Sequence, residues 1–566
     1  MNDNQKKSLT IVRTLASLGV QNFFISPGYR NAPLIWAIQQ TKEARPHSFF
    51  DERGAGFAAL GFGKATGQPA ILCCTSGTAG GHYLPAIMEA RKSQIPLLVL
   101  TSDRPFELIH TQANQTVEQQ DLYGGYVKKS ISLPIDVTAT TSNVLKNHCT
   151  WLTEICLTSP KGPVHINCPF REPLEPTEDH GTFSIEPPYW SPVFSNQIPS
   201  INPRSLGYLK DQLMSWQRPL ILVGSLSTES CRRASQKIIK DLDAPYYCDI
   251  LSGLRGEDTK TDPRSILDGG IKACAEWIEG YRPDGILHLG GRLVSKWFDQ
   301  LITKLRPDHY IVIHDAEGIP DPTGRMTGTI RALPGALEPH SFKISSQASS
   351  TVDQIALKKG FQNLMEKAPL SAPVMAAQVW HALPDHHGLF LGNSSIVRAF
   401  DRYAREEKGF TPKVFGSRGV SGIDGQLATA IGVSIGLQRP MTCVLGDITA
   451  LHDLNTCLLL KDQPHPVVLI ILNNSGGKIF NLLPINKHPE IMDPLMTTPH
   501  NHQFAGIASM AHLSYDIVDS IQGFHEAYHK ALMGESSAMI EVSLSDSSED
   551  YWLTNIPKLG HRDSQT

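Results

Sequence analysis

An α/β protein of three domains, each a mainly parallel sheet flanked by helices, is the fold class the sequence predicts. Three observations predict it. Short β-rich runs alternate with longer helical patterns along the chain, as they do where parallel strands lie under covering helices. At 566 residues the chain has room for about three domains of roughly 150 residues each. Two weakly patterned stretches divide it: a proline-rich one from Pro173 through Pro187-Pro188 to Pro203, and a polar one around residues 339–352. The expected domains are therefore 1–180, 200–340 and 360–566.

Within the first block the strand candidates are residues 22–25, 70–75, 96–101 and 164–167, with a helical pattern over 54–65. Each strand candidate is a short run rich in β-branched or aromatic residues bounded by turn formers. The middle block restarts at 219–224 (PLILVG) and continues through 285–290 (GILHLG) and 310–315 (YIVIHD). The last block runs through 388–392, 413–416, 441–446, 466–472 and 538–543, with a helical pattern over 426–437. No short-period repeat or low-complexity tract interrupts the series.

Composition excludes several classes of function. The chain is 41% hydrophobic and 19% charged, ordinary for a soluble globular protein, and its net charge of −4 offers no electrostatic footprint for nucleic acid. The N-terminus lacks a signal-peptide h-region, and no apolar run approaches the ~20 residues that cross a bilayer, so no membrane insertion is expected. The ten cysteines are scattered without CxxC or zinc spacing and read as reduced, mostly buried thiols of a cytoplasmic protein. Walker A, HExxH and GxSxG motifs are absent. Gly61-Phe62-Gly63 lies inside a helical pattern, so it does not open a helix after a strand as a dinucleotide fingerprint must.

The chemistry begins at two pairs. Gly446-Asp447 closes the apolar run 441–445, and Asn473-Asn474 closes the run 467–472, with Asn474 27 positions after Asp447. Adjacent parallel strands would bring both pairs to one carboxyl edge, where α/β ligands bind. A carboxylate, an amide oxygen and the turn Ser475-Gly476-Gly477 suit a hard, oxygen-seeking Mg²⁺ that shares its shell with a phosphate ligand. Singly, Asp447 reads as a helix cap and Asn474 as a turn residue. Together they point to a diphosphate cofactor.

At these residues the chain resembles the thiamine-diphosphate-dependent enzymes, whose motif is Gly-Asp followed at this distance by Asn-Asn. The resemblance implies that Asp447, Asn474 and the carbonyl of Gly476 hold Mg²⁺ or Mn²⁺. Ile448 stands where the motif's third residue is usually glycine. The resemblance also implies that Glu52, in Asp51-Glu52-Arg53, shares its proton with the aminopyrimidine ring nitrogen and so promotes loss of the thiazolium proton. Without the resemblance, Glu52 reads as a first-turn acid favoured by the helix dipole.

Longer strings narrow the family. They include Ser26-Pro27-Gly28-Tyr29-Arg30-Asn31-Ala32-Pro33-Leu34, Thr75-Ser76-Gly77-Thr78-Ala79 and Thr101-Ser102-Asp103-Arg104-Pro105-Phe106-Glu107-Leu108. Ala113-Asn114-Gln115, Gly392-Asn393-Ser394 and residues 162–174, 417–425 and 473–484 complete the set. As a set they resemble the 2-succinyl-5-enolpyruvyl-6-hydroxy-3-cyclohexene-1-carboxylate synthases of menaquinone biosynthesis, across the first and last blocks and faintly in the middle one. That family joins 2-oxoglutarate to isochorismate. Both are dicarboxylates, and arginine is the fixed, planar donor that suits them.

The resemblance places Arg30, Arg104, Asn114, Gln115, Ser394, Arg398 and Arg418 at substrate positions, with Arg292 offered to a carboxylate of isochorismate. Gly392, Ser394, Ile423 and Gly446 fall at cofactor positions, Ile423 as the bulky residue that bends the cofactor. Phe480 and Leu483 fall on the apolar substrate wall. From pattern alone Ile423, Phe480 and Leu483 read equally as core. A homodimer or homotetramer is implied, with Glu52 and Asp447 of each active site coming from different subunits. Tyr29 replaces the family's serine and His82 its asparagine, the latter reading as a satisfied core or capping histidine. Another thiamine-diphosphate-dependent decarboxylase or carboligase, and a non-catalytic cofactor-binding scaffold, remain the alternatives.

Overall fold

The computed structural model describes residues 1–136, 138–177, 201–256, 264–266, 272–342, 363–404 and 409–544. Three sheets organise it, and every strand pairing within them is parallel. The first contains β1 (Asn22–Ile25), β2 (Arg45–Ser48), β3 (Ala70–Cys74), β4 (Leu97–Asp103), β5 (Ser130–Ser132) and β6 (Pro163–Pro169), in the order β2-β1-β3-β4-β6-β5. The second contains β7 (Pro219–Val223), β8 (Tyr246–Cys248), β9 (Gly285–Leu289), β10 (His309–His314) and β11 (Gly328–Arg331), in the order β11-β10-β9-β7-β8. The third contains β12 (Gly388–Leu391), β13 (Lys413–Phe415), β14 (Met441–Gly446), β15 (Val467–Asn473), β16 (Ser514–Val518) and β17 (Ala538–Ser543), in the order β13-β12-β14-β15-β17-β16.

The central strands β3, β4, β7, β9 and β15 are buried along their whole length, because helices cover both faces of each sheet. Two apolar clusters accordingly flank each sheet. The structure adds five strands that the sequence pattern does not announce, β2, β5, β8, β11 and β16, and each lies at a sheet edge. Most of the two expected connections, 173–203 and 339–352, lies outside the described residues. All ten cysteines are buried, and none forms a disulfide. Among the described residues no helix is long and apolar enough to cross a membrane.

Five helices position the candidate site: α1 (Glu52–Thr66), α2 (Leu84–Ser93), α3 (Ser395–Tyr403), α4 (Gln426–Leu437) and α5 (Asp447–His452). Asp51 caps α1 by accepting from the Arg53 N–H at 2.9 Å, so the helix starts two residues earlier than the 54–65 pattern predicts. The first and third domains meet where α1 crosses α4. At that crossing a Cβ on Gly61 would sit 2.0 Å from the Thr429 carbonyl oxygen, and one on Gly432 would sit 1.8 Å from that of Ala58. The two backbones touch there, which glycine alone permits.

Candidate active site

Strands β14 and β15 are neighbours, with Gly446 paired to Leu472, so Asp447 and Asn474 leave the sheet at one carboxyl edge, as their spacing predicts. Asp447 is buried and does not cap the helix it opens. Its Oδ1 accepts from the Ile448 N–H at 2.7 Å, while Oδ2 accepts from the N–H groups of Asn474 at 3.2 Å and Gly476 at 2.9 Å. Gly476 adopts φ +147°, and a Cβ there would press to 2.7 Å from the Thr497 carbonyl oxygen. The Asn474 side-chain oxygen then lies 3.2 Å from Asp447 Oδ2 and 2.7 Å from the Gly476 carbonyl oxygen.

Three oxygens converging with no proton between them repel one another unless a cation lies among them. Neighbouring oxygens on an octahedral Mg²⁺ with ordinary bond lengths are about 2.9 Å apart, so this donor set fits such an ion. Without a cation the Asn474 amide would turn over, its nitrogen donating to both oxygens. Among the described residues no group of three or more His, Cys, Asp or Glu could hold a metal, and this site is of another kind, with one carboxylate, one amide and one carbonyl. Beside it, His500 Nδ1 accepts from the His502 N–H at 3.2 Å, which leaves the ring proton on Nε2, 3.3 Å from Asp447 Oδ2.

Glu52 is the half-buried first residue of α1. Asp51 does the capping, and among the described residues no hydrogen bond or ion pair engages the Glu52 carboxylate, which leaves it free for a ligand. The start of α1 is anchored to the end of α5: Arg53 Nη2 donates to the His452 carbonyl at 2.8 Å, and Asn455 Nδ2 donates to Asp51 at 3.3 Å.

The expected arginines form two groups. In the first domain Arg30 is buried, donating to the Phe170 carbonyl at 3.0 Å and to Glu172 at 3.2 Å, while its Nε is buried without a partner. Arg104 donates to the Ser76 hydroxyl, and burial together with the Arg30 charge lowers its pKa from the ordinary guanidinium value. Gln115 donates to the Ser76 carbonyl at 2.9 Å, whereas Asn114 stands exposed.

The second group joins the central and last domains. Arg418 has its pKa lowered by burial and then by the charges of Arg398 and Arg292, against which Asp249 and Glu89 act. Arg418 donates to Asn393 Oδ1 at 3.1 Å, and Arg398 donates to the Ser394 carbonyl. Ser394 holds φ +67° and makes no capping bond to α3. Such strain at a non-glycine residue is found where a site over-determines the backbone.

Ile423 and Phe480 are half-buried, Leu483 is 47% exposed, and none of them belongs to an apolar cluster. The reading of these three as core residues therefore fails, because each lies beyond the packed layers at the carboxyl edge. The core reading of His82 fails too, since it stands exposed in the last turn of the helix Thr78–His82. The Tyr29 hydroxyl is bonded to Glu175.

Sequence reasoning misses four residues that hold this site. Glu89 on α2 accepts from the N–H groups of Gly419 at 2.9 Å and Val420 at 2.7 Å, fixing the turn that carries Arg418. Asn393 donates to the carbonyls of Ser417 at 2.7 Å and Gly422 at 2.6 Å. Asp249 and His500 are the others. A glutamate inside a helical pattern carries no local mark of such a task, whereas Asn393 stands inside a string that the family resemblance already singles out.

Comparison with known proteins agrees with this geometry. Residues 7–122 match the family description "Thiamine pyrophosphate enzyme, N-terminal TPP binding domain", and residues 392–542 match "Thiamine pyrophosphate enzyme, C-terminal TPP binding domain". A solved structure from Mycobacterium smegmatis, described as a thiamin diphosphate-dependent enzyme, superposes with a TM-score of 0.73 at 14% identity, covering 94% of this chain and 98% of that one, and shows the shared fold. A protein of Chlorobium phaeobacteroides (strain BS1) named 2-succinyl-5-enolpyruvyl-6-hydroxy-3-cyclohexene-1-carboxylate synthase is 35% identical over 94% of each chain. One of the same name from Syntrophus aciditrophicus (strain SB) is 37% identical over 96% of each. These alignments run through the middle block, where the motif resemblance is faint. The chain belongs to the 2-succinyl-5-enolpyruvyl-6-hydroxy-3-cyclohexene-1-carboxylate synthase family of thiamine-diphosphate-dependent enzymes.

Proposed function

We propose that this protein is a transferase that removes CO₂ from 2-oxoglutarate and adds the remaining four-carbon acyl unit to the ring alkene of isochorismate, a step of menaquinone biosynthesis. The observation that carries this reading is the pair of separate arginine groups, Arg30 with Arg104 and Arg398 with Arg418 and Arg292. Two dicarboxylate substrates need two such groups. A simple decarboxylase of one small oxo acid does not.

The residues divide the work. Asp447, Asn474 and the Gly476 carbonyl would hold Mg²⁺, or Mn²⁺ with the same oxygen preference, and through it the cofactor's diphosphate. Gly392, Ser394, Ile423 and Gly446 line the same edge. Bound thiamine diphosphate supplies the electron sink that takes up the charge left at the keto carbon when CO₂ departs. Glu52, free of protein partners among the described residues, holds the proton shared with the aminopyrimidine ring nitrogen. Arg398 and Arg418 hold the carboxylates of 2-oxoglutarate, and Arg30 and Arg104 orient isochorismate. Arg292, expected beside isochorismate, shares its group with Arg398 and Arg418. Asn114, Gln115, Phe480 and Leu483 complete the substrate walls.

Two copies of the chain would build each site, Glu52 from one and Asp447 from the other. In support of a homodimer or homotetramer, large apolar side chains beside site residues stand open in the single chain: Phe50 is 55% exposed and Phe106 70%. With ten buried cysteines and no disulfide among them, we read the protein as cytoplasmic.

A coupled assay with purified protein, thiamine diphosphate, Mg²⁺ and both substrates tests the reading. The expected result is CO₂ released in step with consumption of isochorismate and appearance of the carbon–carbon adduct. Release of succinic semialdehyde with isochorismate untouched would assign a decarboxylase instead. Cofactor binding with no turnover of either substrate would leave the scaffold.

A further inference from the structure

The central domain supplies one exposed arginine to the site, yet its buried charges reach further. Asp401 lies on α3, one turn after Arg398. Its Oδ2 accepts from the Tyr247 hydroxyl at 2.5 Å, and its Oδ1 accepts from the Ile250 N–H at 2.9 Å and from Arg255 Nη2 at 2.8 Å. Arg255 also donates through Nη1 to the Asp401 carbonyl at 2.6 Å and through Nε to the Cys248 carbonyl at 2.7 Å. Asp249 faces the other way. Its Oδ1 accepts from the Leu251 N–H at 2.8 Å, and its Oδ2 accepts from the Val294 N–H at 2.6 Å, two residues beyond Arg292. Ile250 and Val294 pack into the same apolar cluster as Val397 and Phe400 of α3.

All four polar residues are buried, Tyr247 and Asp249 at 0% exposure, Asp401 at 1% and Arg255 at 6%. Apolar side chains of similar volume would usually hold two domains together at least as well as buried ions. What the ions add is a fixed geometry, and this geometry has one end on the helix of Arg398 and the other on the turn of Arg292.

We propose that Tyr247, Asp249 and Arg255 are positioning residues through which the central domain sets the spacing of Arg398 and Arg292 to receive a dicarboxylate. The inference rests on the reading of those arginines as substrate-binding. It gives the central domain a task in specificity.

Steady-state kinetics with three variants test it. Tyr247→Phe should raise KM for 2-oxoglutarate about tenfold, the factor equivalent to one hydrogen bond to a charged group. Its kcat should stay within about twofold, because the reacting atoms are untouched, and Mg²⁺-dependent cofactor binding, read by fluorescence quenching, should be unchanged. Arg255→Lys keeps the charge but loses the planar fork and should show the same rise in KM. Arg398→Ala serves as the reference. If it raises KM while Tyr247→Phe lowers only the thermal midpoint and leaves KM at the parent value, the cluster is structural and the proposal falls alone. If Arg398→Ala also leaves KM unchanged, the substrate reading of the arginines falls, and the proposal with it.

Discussion

At the scale of single residues, the site depends on which polar groups the protein leaves unengaged. Asp51 takes the capping task at the start of α1, so the neighbouring Glu52 carboxylate is available to a ring nitrogen. Glu52→Gln keeps the shape and removes the exchangeable proton. Its kcat should fall by ~10²–10⁴ while thiamine diphosphate and Mg²⁺ still bind, as turnover and cofactor fluorescence would show. Asp447→Ala should do the opposite, losing metal-dependent cofactor binding itself, because its Oδ2 holds the Asn474–Gly476 turn and the proposed ion would lose its one carboxylate. A Glu52→Gln protein with parent turnover would remove Glu52 from the chemistry. These residues were legible because each closes or opens a recognisable element. Glu89 was not, because its partner Gly419 lies 330 positions away and nothing near Glu89 in the chain foreshadows the contact.

At the scale of elements, the crossing of α1 and α4 decides how closely the first and third domains approach. Gly432 faces the Ala58 carbonyl at a distance no Cβ tolerates, so Gly432→Ala must push the helices apart. A loss of about 1–3 kcal/mol is expected from such overpacking, checked by urea unfolding. Gly446→Ala is the matched control. A Cβ there meets open space at φ −81°, and stability should stay within about 0.5 kcal/mol even though the cofactor edge is altered. Equal losses in the two variants would show that the crossing carries no special contact.

The strands teach the converse lesson at this scale. Interior strands such as β15 (VVLIILN) are buried on both faces and read as unbroken apolar runs. Edge strands such as β2 (RPHS) are largely exposed and owe their extension to a neighbour's hydrogen bonds. Of the six edge strands, β13 alone shows in the sequence pattern.

For the whole molecule, acid should destabilise the fold in all three domains at once. Burial pushes His47, His288 and His387 down to about 4 and His165 down to about 3. They stand in or beside β2, β9, β12 and β6 respectively, so every sheet is represented. In the unfolded chain these rings titrate near 6.5. Their stabilisation is therefore complete above pH 6.5 and lost as pH falls toward 4, because the unfolded state takes up protons that the native state refuses. Asp249, pushed up to about 7 by burial and then by the charge of Asp401, works in the other direction and favours lower pH. Burial also raises Asp103, Asp299, Asp315 and Asp453, which act with Asp249, and lowers His314, which acts with the other histidines. Between pH 7 and pH 5 it is the histidines that titrate in the unfolded chain, so the urea midpoint should drop. A midpoint that rises over that range would mean the histidines are charged within the fold.

By itself the sequence determined the layered α/β class, the interior strands and the shared carboxyl edge of Asp447 and Asn474, and, through its resemblance to a known family, it offered Glu52 and the roll of arginines as candidates. These are legible because each depends on local pattern: an apolar run, the turn that ends it, and a charged residue at the turn. Only the tertiary structure decided that the arginines stand in two groups, that Arg292 joins Arg398 and Arg418, and that Ile423, Phe480 and Leu483 lie outside the core. It also set Glu89 and Asn393 against the turn of Arg418, Asp249 against Val294 near Arg292, and Asp401 against Ile250 and Arg255. The physical reason is that a buried charge acts on whatever the fold sets within a few ångströms of it, and the chain brings those partners from hundreds of residues away.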